Sequence, residues 1–354
     1  MRVVFRVDAS IHIGSGHVMR CLVLAQELKR IGYNVLFATR EQKADLNTLI
    51  NTRGFELIAL QKPYEWSTPN HSSDYAAWLQ VSEEQDSLDF IKKVKYADLV
   101  IVDHYGIGAT WHETVKNKLN CILTVIDDLV RVHRAHIIVD QTLNRPPTCY
   151  EKIFPCKALT GTDYALLNPE FTKQRQILQR SSPSCDDILL TMGGIDKPNA
   201  TLKVLKTLAT VKQPRPTTVL LSQQAPHYSA IKEFAEEHPD WVKHVEFVDN
   251  MASFMGQFSI VIGAPGSTSW ERACLGIPSI LIPIADNQND ISKALVNAQA
   301  VKLIKLEDIS NQLISSIEYL DNHWEYYSKQ NFVLCDGMGV KRVTQTLQEA
   351  LQTC

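Results

Sequence analysis

A histidine follows a glycine-rich turn near the start of the chain. The segment IGSGH (residues 13–17) comes after an apolar run and opens a stretch of helical spacing that ends at Gly32. His17 is therefore predicted in the first turn of a helix, where the partial positive charge of the helix end disfavours imidazolium. A neutral imidazole accepts a proton from water, so we predict that His17 is a general base. The alternatives are that His17 only caps the helix, or that His12 is the important histidine.

A second turn, GAPGSTSWE (residues 263–271), also joins an apolar run to a helical pattern. Backbone amides in such a turn can hold a diphosphate at a helix N-terminus, and Glu271 can accept hydrogen bonds from both hydroxyls of a ribose. The MGG segment (residues 192–194) offers further amides. The predicted nucleoside-diphosphate contacts are Gly193, Gly194, Gly266, Ser267, Thr268 and Glu271. The alternative is a tight strand-to-helix connection with an N-cap serine.

A third polar element, ADNQN (residues 285–289), follows the next apolar run. The carboxamides of Asn287 and Gln288 combine donor and acceptor, which suits sugar hydroxyls and N-acetyl groups. We predict that both side chains contact a sugar. The alternative is that they are ordinary polar residues at the start of a helix.

Polar residues also end two apolar runs in the first half of the chain. The segment DHYG (residues 103–106) follows one run, and Asp127-Asp128 follows the other. Polar groups at consecutive strand ends are typical of a ligand site, although Asp127 and Asp128 are equally consistent with turn and cap residues. Adjacent carboxylates leave a metal site as an alternative. No further acidic ligands lie at suggestive spacing, so we predict no metal.

Short β-branched runs alternate with helical patterns along the whole chain, which predicts parallel sheets built from βαβ units. The predicted strands are residues 3–7, 34–38, 99–103, 122–126 and 137–140 in the first half, and 187–192, 217–221, 245–248, 260–263, 279–283 and 301–306 in the second. This pattern predicts an α/β protein of the GT-B architecture, with two Rossmann-like, doubly wound domains facing a central cleft. The turns described above are expected to face that cleft.

A polar stretch without periodicity, rich in serine around Pro183, interrupts this alternation. We therefore predict an N-terminal domain at 1–172 that carries the base and the sugar pocket, and a linker at 173–186. A nucleotide-binding domain is predicted at 187–322. The remaining residues, 323–354, are predicted to form a helical tail that packs back on the first domain.

The composition excludes several classes of function. The chain has 354 residues, 36 basic and 39 acidic, with a net charge of -3 and no basic run, which argues against binding nucleic acid. No secretory signal and no apolar stretch of about 20 residues is present, which argues against export and against a membrane span. The eight cysteines are scattered without a CxxC pair, so we expect neither zinc nor disulfides and predict a cytoplasmic protein.

Taken together, the ordered set of segments resembles the PseG family, hydrolases that cleave UDP-2,4-diacetamido-2,4,6-trideoxy-β-L-altropyranose on the pathway to pseudaminic acid. IGSGH near the start, combined with DHYG near position 100, separates this family from other GT-B proteins. The second-domain segments alone would also fit the related N-acetylglucosaminyltransferase that makes lipid II. The resemblance also includes Arg6, Asp8, Ser10, Arg20, Asp127, Asp128, Gly161, Tyr164 to Leu167, Asp196 and Asn199. It does not extend beyond about residue 306.

The resemblance implies hydrolysis with inversion, with His17 as the base and Tyr105 lining the sugar pocket. The implied substrate contacts are Gly14, Ser15, Gly16, Arg20, Tyr105, Asn287 and Gln288. The expected partner is a small-molecule UDP-sugar, with no cofactor and no obligate protein partner. The alternatives are a GT-B glycosyltransferase that uses a UDP-N-acetylamino sugar, in which the base activates an acceptor hydroxyl, and a non-catalytic nucleotide-sugar-binding protein.

Overall fold

Runs of valine, isoleucine and leucine form two parallel sheets, each in its own part of the chain. This computed structural model describes residues 1–71, 73–152, 155–179, 186–285 and 288–352. The chain divides into an N-terminal unit, Met1–Leu166 with Met338–Cys354, and a C-terminal unit, Leu167–Gly337. Each unit has its own sheet and its own apolar core.

The N-terminal unit has a seven-stranded parallel sheet among its described residues. Its strands are β1 (Arg2–Val7), β2 (Asn34–Thr39), β3 (Glu56–Ala59), β4 (Leu99–Asp103), β5 (Ile122–Ile126), β6 (Ile137–Asp140) and β7 (Lys157–Thr160). Their order in the sheet is β3-β2-β1-β4-β5-β6-β7. The central strands β4, β5 and β6 are buried along their whole length, as expected for strands that are covered on both faces.

Helices of the N-terminal unit connect consecutive strands. They are α1 (Gly16–Arg30), α2 (Asn47–Thr52), α3 (Tyr75–Leu79), α4 (Glu83–Val94), α5 (Ala109–Leu119) and α6 (Thr148–Glu151). Helix α1 buries Cys21, Ala25 and Leu28 against the core, at the spacing of one helical face. It ends before Gly32, whose φ of +95° lies in the left-handed region that favours glycine.

The C-terminal unit has a six-stranded parallel sheet within the described residues. Its strands are β8 (Ile188–Thr191), β9 (Thr217–Leu220), β10 (Val242–Val245), β11 (Ile260–Gly263), β12 (Ser279–Leu281) and β13 (Val301–Leu303), in the sheet order β10-β9-β8-β11-β12-β13. Its helices are α7 (Pro169–Leu178), α8 (Ala200–Leu208), α9 (Tyr228–Glu237), α10 (Met251–Met255), α11 (Thr268–Leu275), α12 (Asn289–Asn297), α13 (Ile309–Asn322) and α14 (Trp324–Leu334).

The last helix, α15 (Gly339–Gln352), belongs to the N-terminal unit. The predicted tail at 323–354 is therefore divided, because α14 groups with the C-terminal unit. Val343 and Leu347 of α15 are fully buried in the same apolar cluster as the inner face of α1. None of the described helices combines the length and the apolar character that crossing a membrane requires.

The structure differs from the sequence prediction in three further places. Helix α7 runs to Leu178, so residues 173–178 of the predicted linker are helical. Asn168 caps the start of this helix, because its side chain accepts a hydrogen bond from the Glu170 amide at 3.0 Å. The strand predicted at 245–248 is wrong, since β10 ends at Val245. The edge strands β3 and β7 were not predicted, because both are short and only partly buried.

Candidate functional site

The N-terminal unit brings several predicted residues to one edge of its sheet. Strands β1 and β4 are neighbours, with Val7 paired to Asp103, although the chain makes two further strands between them. The chain also reverses its direction of winding there, and ligands of doubly wound folds bind at the carboxyl ends of the strands at such a switch point. The loop after β1 leads to His17, and β4 ends at Asp103 itself.

His17 and Asp103 form a buried hydrogen-bonded pair. His17 is the second residue of α1, and its Nδ1 lies 2.5 Å from Oδ1 of Asp103. Because a carboxylate can only accept, Nδ1 carries the hydrogen, and in the neutral ring Nε2 then carries the lone pair. Among the described residues, Nε2 has no hydrogen-bond partner. This arrangement leaves one nitrogen of His17 ready to accept a proton.

Arg20, one helical turn after His17, binds the same carboxylate. Its Nε donates to Oδ2 of Asp103 at 2.6 Å, and its Nη2 donates to Oδ1 at 2.7 Å. Burial raises the pKa of Asp103, but the charges and hydrogen bonds of Arg20 and His17 outweigh it and hold that pKa well below its usual range. Asp103 therefore stays ionised and keeps accepting from His17.

Tyr105 stands beside His17 and contacts the next strand end. Its ring meets the His17 ring edge-on, with centroids 4.6 Å apart. Its hydroxyl donates to Oδ1 of Asp128 at 2.5 Å. Burial, with Asp128 as the next cause, raises the pKa of Tyr105 well above its usual value, so the phenol keeps its proton and acts as a donor. The predicted residues His17, Arg20 and Tyr105 thus lie together, and sequence reasoning had not placed Asp103 between them.

The glycine turn before α1 has the conformation that its sequence suggests. Gly14 has a φ of +78°, and a Cβ added there would meet nothing within 4 Å. Ser15 precedes α1 without making a side-chain cap hydrogen bond. Since no side chain crowds the backbone at Gly14, the turn leaves room for a ligand near His17.

Two other histidines, on the segments that carry His17 and Asp103, have different surroundings. His12 is exposed, on the loop before Gly14. His104 is buried, and its Nδ1 accepts a hydrogen bond from the Gly106 amide at 3.0 Å. Burial lowers the pKa of His104 to about 4, and its Nε2 lies 3.5 Å from Oδ2 of Asp8. His104 therefore shapes the turn that carries Tyr105.

Asp127 is engaged by protein groups. Arg131 donates from Nε to its Oδ1 at 2.8 Å, and Nε2 of His133 lies 3.1 Å from its Oδ2. Burial raises the pKa of Asp127, but the neighbouring His133 and the charge of Arg131 hold that pKa well below the usual range. Within the described part of the chain, no group of three or more His, Cys, Asp or Glu side chains is placed to hold a metal ion.

The C-terminal unit repeats the switch-point arrangement. Strand β11 lies between β8 and β12, with Gly263 paired to both Thr191 and Leu281. The turns that follow these three strands contain Gly193 and Gly194, residues 264–267, and Gln288. Gly193 has a φ of +84°, which favours glycine. The predicted diphosphate turns therefore leave the sheet from neighbouring strands.

The turn into α11 provides free donors next to a carboxyl group. The amides of Ser267 and Thr268 have no acceptor among the described residues, whereas the Gly266 amide donates to Oγ of Ser269 at 3.3 Å. Glu271 lies in the first turn of α11, and burial raises its pKa to about 7 against the opposing charge of Arg272. Its carboxyl group has no hydrogen-bond partner in the described ranges, so both oxygens remain available.

Gln288 is partly committed to its own loop. Its Oε1 accepts a hydrogen bond from the Ile284 amide at 2.8 Å. Its amide nitrogen has no partner among the described residues and remains able to donate. Asn287 lies outside the described residues.

Part of the C-terminal unit matches a known family. Residues 189–336 match the glycosyltransferase family 28 C-terminal domain. This stretch contains Gly193 and Gly194, the turn before α11, and Glu271.

Two relatives cover most of the chain at low identity. An uncharacterized protein of Methanocaldococcus jannaschii is 25% identical over 333 residues, covering 91% of this chain. The chain spans 63% of the length of that archaeal protein. The UDP-2,4-diacetamido-2,4,6-trideoxy-β-L-altropyranose hydrolase of Campylobacter jejuni is 25% identical over 277 residues, covering 78% of this chain and 89% of that protein.

Among solved structures, the crystal structure of Acinetobacter baumannii MurG is similar with a TM-score of 0.67 and 16% identity, covering 98% of this chain and 99% of that chain. At this identity the likeness shows the fold alone. Together with the two Rossmann-like sheets, it confirms the predicted GT-B fold.

Proposed function

We propose that the chain hydrolyses UDP-2,4-diacetamido-2,4,6-trideoxy-β-L-altropyranose to UDP and 2,4-diacetamido-2,4,6-trideoxy-L-altrose. The observation that carries this proposal is the His17–Asp103 pair at the switch point of the N-terminal sheet, with Nδ1 2.5 Å from Oδ1. The segments shared with the PseG family and the similarity to the Campylobacter jejuni hydrolase support this choice of substrate. The product sugar would then serve pseudaminic acid biosynthesis.

In the proposed reaction, a water oxygen bonds to the anomeric carbon as the bond from that carbon to the diphosphate oxygen breaks. The electron pair leaves with UDP, and configuration at the anomeric carbon inverts. Nε2 of His17 takes the proton of the water, and the imidazolium later returns it to solvent. Asp103 holds the ring in the tautomer that makes this transfer possible.

The leaving diphosphate gains negative charge during the reaction. The amides of Ser267 and Thr268 are unpaired donors at the start of a helix, which suits them to stabilise that charge. We propose that Gly193, Gly194 and Gly266 complete the diphosphate contacts and that Glu271 accepts from the ribose. Each well-placed donor stabilises such a leaving group by about 3 kcal/mol.

The proposed sugar contacts lie on the segments around His17 and on the segment before α12. Three of them precede His17 directly in the chain: Gly14, Ser15 and Gly16. Arg20 and Tyr105 lie beside the His17 ring. Their closeness to His17 supports a role in positioning the sugar. Gln288 contributes through its free amide nitrogen. Asn287 is proposed from the sequence pattern alone.

A glycosyltransferase is the second candidate, because the matching family model is that of a glycosyltransferase domain. In that case His17 would take the proton of an acceptor hydroxyl instead of water. The residues that bind UDP would be the same in both reactions, so the C-terminal unit does not distinguish a hydrolase from a glycosyltransferase.

The test is UDP release from the purified chain and the UDP-diacetamido sugar with no acceptor added. Hydrolysis predicts stoichiometric UDP and free sugar, and proton NMR should show first the anomer opposite to that of the substrate. A transferase would release UDP only when an acceptor is supplied, and that result would overturn the proposal. Retention of configuration would remove the single-displacement mechanism.

A further inference from the structure

Two side chains beside His17 each keep one unused polar atom. Arg20 donates to Asp103 through Nε and Nη2, but its Nη1 makes no hydrogen bond among the described residues. Asp128 accepts from Tyr105 through Oδ1, while its Oδ2 makes none. The two unused atoms, Nη1 of Arg20 and Oδ2 of Asp128, are 3.8 Å apart.

This spacing selects the kind of group that fits between them. At 3.8 Å the pair is too far apart for a direct hydrogen bond, but an oxygen about 2.8 Å from each atom would bond to both. That oxygen must accept from the guanidinium and donate to the carboxylate. A hydroxyl does both, whereas an amide N–H only donates and an amide carbonyl only accepts.

The position is built on one side and open on the other. The side chains of Asp103 and Arg20 are 0% and 10% exposed, whereas that of Asp128 is 36% exposed. Tyr105, held above its usual pKa by burial and by Asp128, keeps the proton with which it fixes Oδ1. Oδ2 is therefore the free oxygen of a carboxylate whose orientation is set.

We infer that Arg20 and Asp128 clamp the 3-hydroxyl of the sugar, and that Asp128 determines specificity for it. This inference rests on the proposed substrate. In that sugar C2 and C4 carry acetamido groups, C6 is a methyl group, C5 closes the ring and C1 carries UDP. C3 therefore bears the one hydroxyl that is free, and holding it would orient the ring relative to Nε2 of His17.

The test is a coupling experiment between Asp128 and the sugar hydroxyl. Binding of UDP, the UDP-diacetamido sugar and its 3-deoxy-3-fluoro analogue is measured calorimetrically in the chain carrying His17→Asn, in which turnover is expected to be at least about a hundredfold slower. The fluoro group cannot donate, so we expect it to cost about thirtyfold in affinity. With Asp128→Asn added, Tyr105 still finds an acceptor but the clamp presents N–H instead of oxygen. The cost of the fluoro group should then fall to about threefold or less.

Matched controls make the result interpretable. UDP affinity should be the same in both backgrounds, since its proposed contacts lie in the C-terminal unit. Glu56→Gln makes the same carboxyl-to-amide change at an exposed residue of β3 and should leave the thirtyfold cost intact. Tyr105→Phe removes the donor that orients Asp128, so the affinity lost through the fluoro group should be intermediate. This variant provides the test if Asp128→Asn does not fold.

If Asp128 only supports Tyr105, Asp128→Asn will weaken both sugar nucleotides equally, and that outcome overturns the inference. The inference is also overturned if the UDP-diacetamido sugar binds no more tightly than UDP. The hydrolase proposal fails separately, through the absence of UDP release by the chain with His17 intact. If the chain binds the sugar nucleotide as expected but releases no UDP, the inference about Arg20 and Asp128 holds and the proposed hydrolysis is wrong.

Discussion

Asp103 and Arg20 together set the chemistry that is open to His17. The carboxylate accepts from Nδ1, so the imidazole presents its lone pair at Nε2. Arg20 occupies both oxygens of the same carboxylate, with Nη2 only 3.2 Å from Nδ1 of His17. This two-point contact holds the carboxylate against Nδ1 and so fixes the orientation of the His17 ring.

Replacing His17 by Asn should separate proton transfer from helix capping. Asn keeps hydrogen-bonding capacity and is a good residue at a helix start, but it cannot take up a proton near neutral pH. We expect turnover of the UDP-diacetamido sugar to fall at least about a hundredfold, with UDP affinity unchanged. Steady-state kinetics and calorimetric titration with UDP measure the two effects.

The exposed His71 provides the matched control, and His71→Asn should leave turnover as it is. A His17→Asn variant with nearly full turnover would remove His17 as the base and return His12 and the strand-end aspartates to consideration.

At the scale of elements, α11 presents donors to a diphosphate and one acceptor to a ribose. Burial raises the pKa of Glu271 to about 7, with Arg272 opposing it. The carboxyl group is therefore partly protonated at neutral pH, and it must ionise to accept hydrogen bonds from two hydroxyls. Ligand binding should release a proton, so affinity for a UDP-sugar should rise about tenfold from pH 6 to pH 8.

A UDP-sugar is the right probe because the terminal phosphate of UDP itself has a pKa near 6. Glu271→Gln should bind more weakly and lose the pH dependence, and Glu271→Ala should cost about thirtyfold in affinity. Glu325→Gln, at a side chain 83% exposed on α14, is the control. An unchanged pH dependence in Glu271→Gln would show that Glu271 is not the titrating group.

The elements also show what could be predicted from the sequence. Apolar periodicity predicted most strands, the start of α1 and the GT-B fold, because those patterns are local. The pairing of His17 with Asp103 was not predicted, since the two residues are 86 positions apart and meet only because β1 pairs with β4. The engagement of Asp128 by Tyr105 is likewise a consequence of strand order, which periodicity does not encode.

At the scale of the whole molecule, the chain returns to the N-terminal unit with its last helix. Gly339 at the start of α15 packs so closely on residues 164–165 that an added Cβ would lie 2.2 Å from the carbonyl oxygen of Ala165. The apolar face of α15 then joins the cluster that contains the inner face of α1. The helix that carries His17 is therefore supported by residues more than three hundred positions later.

This support can be tested at Leu347, which is fully buried in α15. Leu347→Ala removes buried methyl groups and leaves a cavity, so it should lower the free energy of unfolding of the N-terminal unit by about 2–5 kcal/mol. Hydrogen–deuterium exchange resolved by peptide measures this effect at α1, where the amides should exchange faster. Gln345→Ala, at an exposed position of the same helix, should not change their exchange. If α1 exchanges at the same rate in Leu347→Ala, α15 does not stabilise the helix that bears His17, and the unit owes its stability to the sheet and helices of residues 1–166.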